Sequence, residues 1–138
     1  MKILIAEDDL TSQAMLAGLA DNWGFEPILV EDGEAAWDVL QGEAPPRLLL
    51  LDWEMPRLKG VELCRRIREV QTTDPVYIIF LTIRIRTEDI VMGLNAGAND
   101  YITKPFERAE LQARVMVGKR VLGLQDELNK ARDLLAGE

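Results

Sequence analysis

The sequence predicts a layered α/β fold, one parallel sheet with helices on both faces. Short, largely apolar runs recur at Lys2–Ala6, Glu26–Val30, Arg47–Leu51, Val76–Leu81 and Asp100–Thr103. Between them apolar residues return at helical spacing. Gly24, Pro45-Pro46, Asp74-Pro75 and Gly97 fall where those helices should stop. Runs that are continuous rather than alternating imply strands covered on both faces, the mark of a parallel sheet between helices.

Taken in order, each run has its helix. KILIA is followed by a helix carrying Met15, Leu16 and Leu19, and the run ending at Val30 by one carrying Ala35, Ala36, Val39 and Leu40. LLLL leads to Val61, Leu63, Ile67 and Val70, and the fourth run to Ile90, Val91 and Leu94. After the fifth, no proline occurs from Glu107 onward, so one long helix is expected to close the chain.

The 138 residues are enough for one domain that buries roughly two thirds of its unfolded surface. A hydrophobic share of 48% and a charged share of 29% exclude wholesale disorder. No apolar stretch approaches the ~20 residues of a membrane helix, and MKILIAEDD turns acidic too early for a secretory signal, so a cytoplasmic protein is expected. The net charge of −8 argues against direct nucleic-acid binding. With no histidine and one cysteine, there is no internal disulfide, no Cys/His metal site and no histidine-based triad. Cys64 reads as a core residue.

Chemistry gathers at the strand ends. In an open parallel sheet, ligands bind at the carboxyl ends of the strands. Glu7, Asp8 and Asp9 follow the first run, Asp52 the third, Thr82 the fourth and Lys104 the fifth. Clustered carboxylates call for a hard divalent cation, and Mg²⁺ favours one or two carboxylates plus water and phosphate oxygens. Lys104 and Thr82 suit a phosphoryl group, and aspartate is a known nucleophile toward phosphorus. Asp9 is expected only to cap the following helix.

In order and spacing, ILIAEDD, LLLLDWEMP followed by KG, IIFLT and GANDYITKPF resemble the receiver domain of two-component response regulators, in particular chemotaxis-type regulators. The resemblance implies a flavodoxin-like five-stranded sheet, order 2-1-3-4-5, for residues 1–121. It makes Asp52 the phosphoacceptor. Asp8, Asp52 and the backbone carbonyl of Glu54 would bind Mg²⁺, or Mn²⁺ in its place, with Glu7 acting through water. Thr82 and Lys104 would hold phosphoryl oxygens, Tyr101 would be the aromatic switch, and Lys104-Pro105 would be cis. The implied role is a phosphorylation-activated switch supplied by a histidine kinase or histidine phosphotransfer protein, catalysing only its own phosphotransfer and dephosphorylation.

Two residues depart from that pattern. Ile83 is bulky where the family is usually small, and Glu54 sets a carboxylate where an attacking water would pass. Both are expected to tune access and phosphate lifetime, and both keep open a phosphorylation-independent pseudo-receiver that acts as an interaction module. A flavodoxin-like cofactor binder would instead show Ser, Thr and Gly after the first strand, and an aspartate-nucleophile phosphatase a D-x-D spacing and a cap insertion.

Residues 122–138 form the expected helical extension. Val117, Val121, Leu124, Leu128, Ala131 and Leu135 follow heptad spacing, with Glu127 and Arg132 in flanking positions. The expectation is a helix joining the receiver to a linked or separate output domain. Homodimerisation is expected through that helix and the face of the fourth and fifth units.

Overall fold

The computed structural model describes residues 1–70 and 74–137. Five strands, β1 (Lys2–Ala6), β2 (Glu26–Val30), β3 (Leu48–Leu51), β4 (Tyr77–Thr82) and β5 (Asp100–Thr103), alternate with helices α1 (Leu10–Asn22), α2 (Gly33–Leu40), α3 (Gly60–Glu69), α4 (Thr87–Asn95) and α5 (Arg108–Ala136). All strand pairs are parallel, in the order β2-β1-β3-β4-β5. This is the flavodoxin-like arrangement expected.

Period-two geometry explains the leucine run. Leu49 and Leu51 join Leu4, Ile78 and Phe80 beneath α2 and α3, where Ala36, Leu63 and Cys64 meet them. Leu48 and Leu50 point the other way, joining Ile3, Ile5, Tyr77 and Ile79 against Leu16 and Ala20 of α1 and Leu111 and Val115 of α5. A strand buried on both faces must be apolar at every position. Each such side chain contributes about 1.5–3 kcal/mol by leaving water. The edge strand β2 is only half covered.

Two strands begin one residue later than expected. The carbonyl of Arg47 accepts from the Tyr77 N–H at 2.7 Å, but its side chain turns to Pro75 O and Asp126, outside the ladder. The carbonyl of Val76 is taken by Arg68 Nη1 at 2.9 Å. At its other end β4 runs one residue beyond the expected Leu81, to Thr82, which pairs with Thr103. Asp9 caps α1 as expected, accepting from the Ser12 N–H at 3.0 Å.

α5 buries Leu111, Val115, Gly118 and Leu122. A side chain at Gly118 would press on Leu48 and Tyr77, so glycine there lets the helix lie close to the sheet. Leu122 belongs to the same core, and Asp126 pairs with Arg47 at 2.6 Å. The helix then continues with Val121, Leu124, Leu128 and Leu135 exposed. Glu138, the last residue of the expected extension, lies outside the described residues. Among the described residues, no helix is long and apolar enough to cross a membrane.

Candidate phosphoacceptor site

Sheet register brings the strand ends together. Ala6 pairs with Leu51, and the Asp52 N–H donates to Ala6 O at 3.0 Å, which sets Glu7 and Asp52 side by side. Thr82 pairs with Thr103, and the Lys104 N–H donates to Thr82 O at 2.8 Å. The Lys104 ammonium then spans the cluster, 2.6 Å from Glu7 Oε1 and 3.2 Å from Asp52 Oδ2.

Glu7, Asp8 and Asp52 each offer a carboxylate oxygen within 4.8 Å of the others. Glu7 is buried and its Oε2 has no partner. Burial and the Asp52 carboxylate push Glu7 up to about 7, against the pull of Lys104. Burial alone would lower Lys104, but Glu7 and Asp52 overcome it and raise its pKa above the usual value. The ammonium therefore stays charged. Three oxygen donors at this spacing, one with an unused buried lone pair, fit a hard divalent cation.

The loop after β3 is folded back to aim Asp52. The Gly60 N–H donates to Trp53 O at 3.0 Å, and the Glu54 N–H donates to Asp52 Oδ1 at 3.1 Å. A side chain at Gly60 would collide with the Asp52 carbonyl, which is why glycine opens α3. Lys104-Pro105 is cis. Thr82 is fully buried and its Oγ accepts from the Arg84 N–H at 3.3 Å. A hydroxyl that accepts one bond still has its proton to donate.

The side chains of the other expected site residues make contacts outside the carboxylate cluster or face solvent. Tyr101 is half-buried against Phe80 and Trp53, with ring centroids 6.0 and 6.5 Å away, and its O–H donates to Arg84 O at 2.9 Å. Burial raises its pKa to about 12, so it remains a donor. Ile83 is 71% exposed and stands at the surface. The Glu54 carboxylate is drawn to the Arg84 guanidinium.

Arg84 was not legible in the sequence. It touches Thr82, Tyr101 and Glu54, pairs with Asp89 at 3.3 Å, and lies over Trp53 at 4.9 Å from the ring centre. Its distant neighbours come from two separate stretches, Trp53-Glu54 and Tyr101, so no spacing marks it; its place two residues after Thr82 is the one available signal.

Comparison with known proteins agrees with this geometry. The profile of the response regulator receiver domain matches residues 3–116. The phosphate regulon transcriptional regulatory protein PhoB of Escherichia coli K12 is 38% identical over 114 residues, 83% of this chain and 49% of that protein. The chain thus spans about half the length of the PhoB regulators it matches. Chemotaxis protein CheY1 of Helicobacter pylori is 32% identical over 127 residues, 91% of this chain and 100% of that protein. Among solved structures, the receiver domain of sensor histidine kinase PA1611 from Pseudomonas aeruginosa PAO1, with magnesium coordinated in its active-site cleft, superposes with a TM-score of 0.74 at 32% identity, covering 88% of this chain and 97% of that one. Receiver domains bind Mg²⁺ in an acidic site, pair with histidine kinases and often with output domains, and serve in general as phosphorylation-based switches. The chain belongs to the response regulator receiver domain family.

Proposed function

We propose that this chain is a working phosphoryl switch. Asp52 accepts a phosphoryl group from the phosphohistidine of a histidine kinase or histidine phosphotransfer protein. The observation that carries this reading is the Lys104 ammonium held between Glu7 and Asp52, beside a three-carboxylate cluster. Asp8, Asp52 and the backbone carbonyl of Glu54 would hold Mg²⁺, or Mn²⁺ in its place, with Glu7 acting through water; bound there, the cation offsets charge on the phosphoryl oxygens.

Asp52 Oδ forms the new phosphorus–oxygen bond as the phosphorus–nitrogen bond of the donor breaks, and the imidazole leaves with the electron pair. Lys104 keeps its proton and turns from the former carboxylate to a phosphoryl oxygen. Thr82 donates its hydroxyl to a second oxygen. Thr82 is bonded to Arg84, and Arg84 to Tyr101, so the change passes to the face formed by α4, β5 and α5. An apolar groove of about 410 Å³, walled by Met15, Leu16, Leu19 and Phe106 and ending at Lys104, is where the donor rests.

The chain turns over no other substrate; it catalyses its own phosphotransfer and dephosphorylation. It acts in the cytoplasm, makes no direct contact with nucleic acid, and drives an output domain, linked or separate. Val121, Leu124, Leu128 and Leu135 lie exposed on α5 at heptad spacing, which supports a homodimer through that helix and the α4, β5 and α5 face. The second reading is a pseudo-receiver that takes no phosphoryl group, with the exposed Ile83 and the Glu54 carboxylate, paired with Arg84, as the departures that favour it.

The test is intact mass after incubation with phosphoramidate and Mg²⁺. One added phosphoryl group, absent in Asp52→Asn and without metal, is the expected result. A folded protein that takes up none would be an interaction module instead.

A further inference from the structure

We propose that Gln13 is a positioning residue that staples the acidic turn after β1 into the shape that selects Mg²⁺ over a larger divalent cation such as Ca²⁺; this rests on the phosphoryl-switch reading above. Among the described residues, the buried polar or charged side chains are Glu7, Thr82 and Gln13. The first two belong to the strand-end cluster. Gln13, in the first turn of α1, turns inward to the same place: its Nε2 donates to Glu7 O and to Val30 O, each at 3.1 Å. Both protons of the one amide nitrogen are thereby used.

The three carboxylates of the cluster are not held alike. Glu7 is buried and Asp52 partly so, and the Lys104 ammonium bridges the two. Asp8 is exposed, so its carboxylate is placed by the backbone of the turn and not by packing. One residue grips that turn at both ends. The Gln13 side chain holds the carbonyl of the peptide joining Glu7 to Asp8, and the Gln13 N–H donates to Asp9 O at 2.9 Å. A planar peptide held by its carbonyl fixes the direction in which Asp8 leaves it. Val30 O accepts from the Glu7 N–H as well, at 3.1 Å, so the staple also ties the turn to the end of β2.

A fixed turn matters more to one cation than to the other. Mg²⁺ demands near-octahedral oxygens at about 2.0–2.1 Å, whereas Ca²⁺ accepts looser arrangements at about 2.3–2.6 Å. Freeing the Asp8 carboxylate should therefore cost Mg²⁺ affinity and leave Ca²⁺ affinity nearly untouched. A general loss of stability would weaken both alike.

The experiment is calorimetric titration with magnesium chloride and, separately, calcium chloride, beside phosphoryl uptake from phosphoramidate followed by intact mass at low and high Mg²⁺. Gln13→Met keeps the length and bulk of the side chain but has no donor. Gln13→Asn keeps the amide but is too short to reach both carbonyls, and carries the same expectation if the methionine variant does not fold. Gln13→Lys returns the donors on a chain of similar length. Methionine or asparagine should raise the Mg²⁺ Kd about tenfold, the low end for losing an outer partner of a metal site, and the Ca²⁺ Kd by less than about twofold. Uptake should then be slow at low Mg²⁺ and recover when Mg²⁺ is raised. The lysine variant adds a positive charge that weakens both cations, but the ratio of the two affinities should return to that of the natural chain. Equal losses for the two cations, or unchanged Mg²⁺ affinity in the methionine and asparagine variants, would overturn the staple and leave the switch standing. Neither Mg²⁺ binding nor uptake in the natural chain would overturn both.

Discussion

The strand-end cluster and the far half of α5 are both built on regular secondary structure, yet they are held in opposite ways. Glu7, Asp52, Thr82 and Lys104 sit one step beyond, or at the end of, strands whose positions are locked by ladder bonds and two apolar faces. Past Leu122, α5 has no buried residue among those described, and its leucines face outward. The first region is complete within one chain; the second presents apolar surface that one chain does not cover. Chemistry is placed where the backbone cannot shift, and a partner surface where it is unsatisfied.

The largest expected break in that contrast is Lys104→Met. Removing the ammonium leaves the buried Glu7 and Asp52 facing each other, at a cost of up to about 3–5 kcal/mol when both are charged. Urea unfolding should show the loss above neutral pH and a smaller one in acid, where Glu7 takes a proton. Gly118→Val comes next. Its methyls would enter the contact between α5, Leu48 and Tyr77, and overpacking of this kind costs about 1–3 kcal/mol. Denaturant midpoints should fall without loss of helix content.

A third effect is the pH response of the metal-free protein. Glu7 is raised from the ordinary 4.5 to about 7, so the folded chain holds a proton that the unfolded chain has released between those values. Its contribution to stability is therefore present in acid and lost as pH rises through about 7. Melting temperatures should decline across that window and be flatter in Glu7→Gln. Added Mg²⁺ should reverse the decline, with affinity rising over the same range as the carboxylate ionises. The smallest effect on folding is at the other region. Leu124→Lys with Leu128→Lys should change monomer stability by no more than about 0.5 kcal/mol per site. Sedimentation should nevertheless show a dimer replaced by a monomer.

The same contrast explains what could be read in advance. β1, β3 and β4 were legible because burial on both faces forces unbroken apolar runs, and once their order is known Asp52, Thr82 and Lys104 must converge. Strand ends were less so: Arg47 and Val76 look like strand residues, and only tertiary partners, Asp126 and Arg68, take them out of the ladder. Gly118 is unfavourable in a helix by propensity, and only the contact with Leu48 and Tyr77 of the sheet gives the missing side chain a use. Arg84 was invisible because its role comes from neighbours on other loops and strands.

The most direct test of the account is to locate the phosphoryl group chemically. The chain would be incubated with phosphoramidate and Mg²⁺, the acyl phosphate reduced with borohydride, and the peptides mapped by mass. The account predicts reduction at residue 52 alone, absent when Mg²⁺ is chelated. Modification at Asp8 or Glu54 instead, or none in a protein shown to be folded, would contradict it.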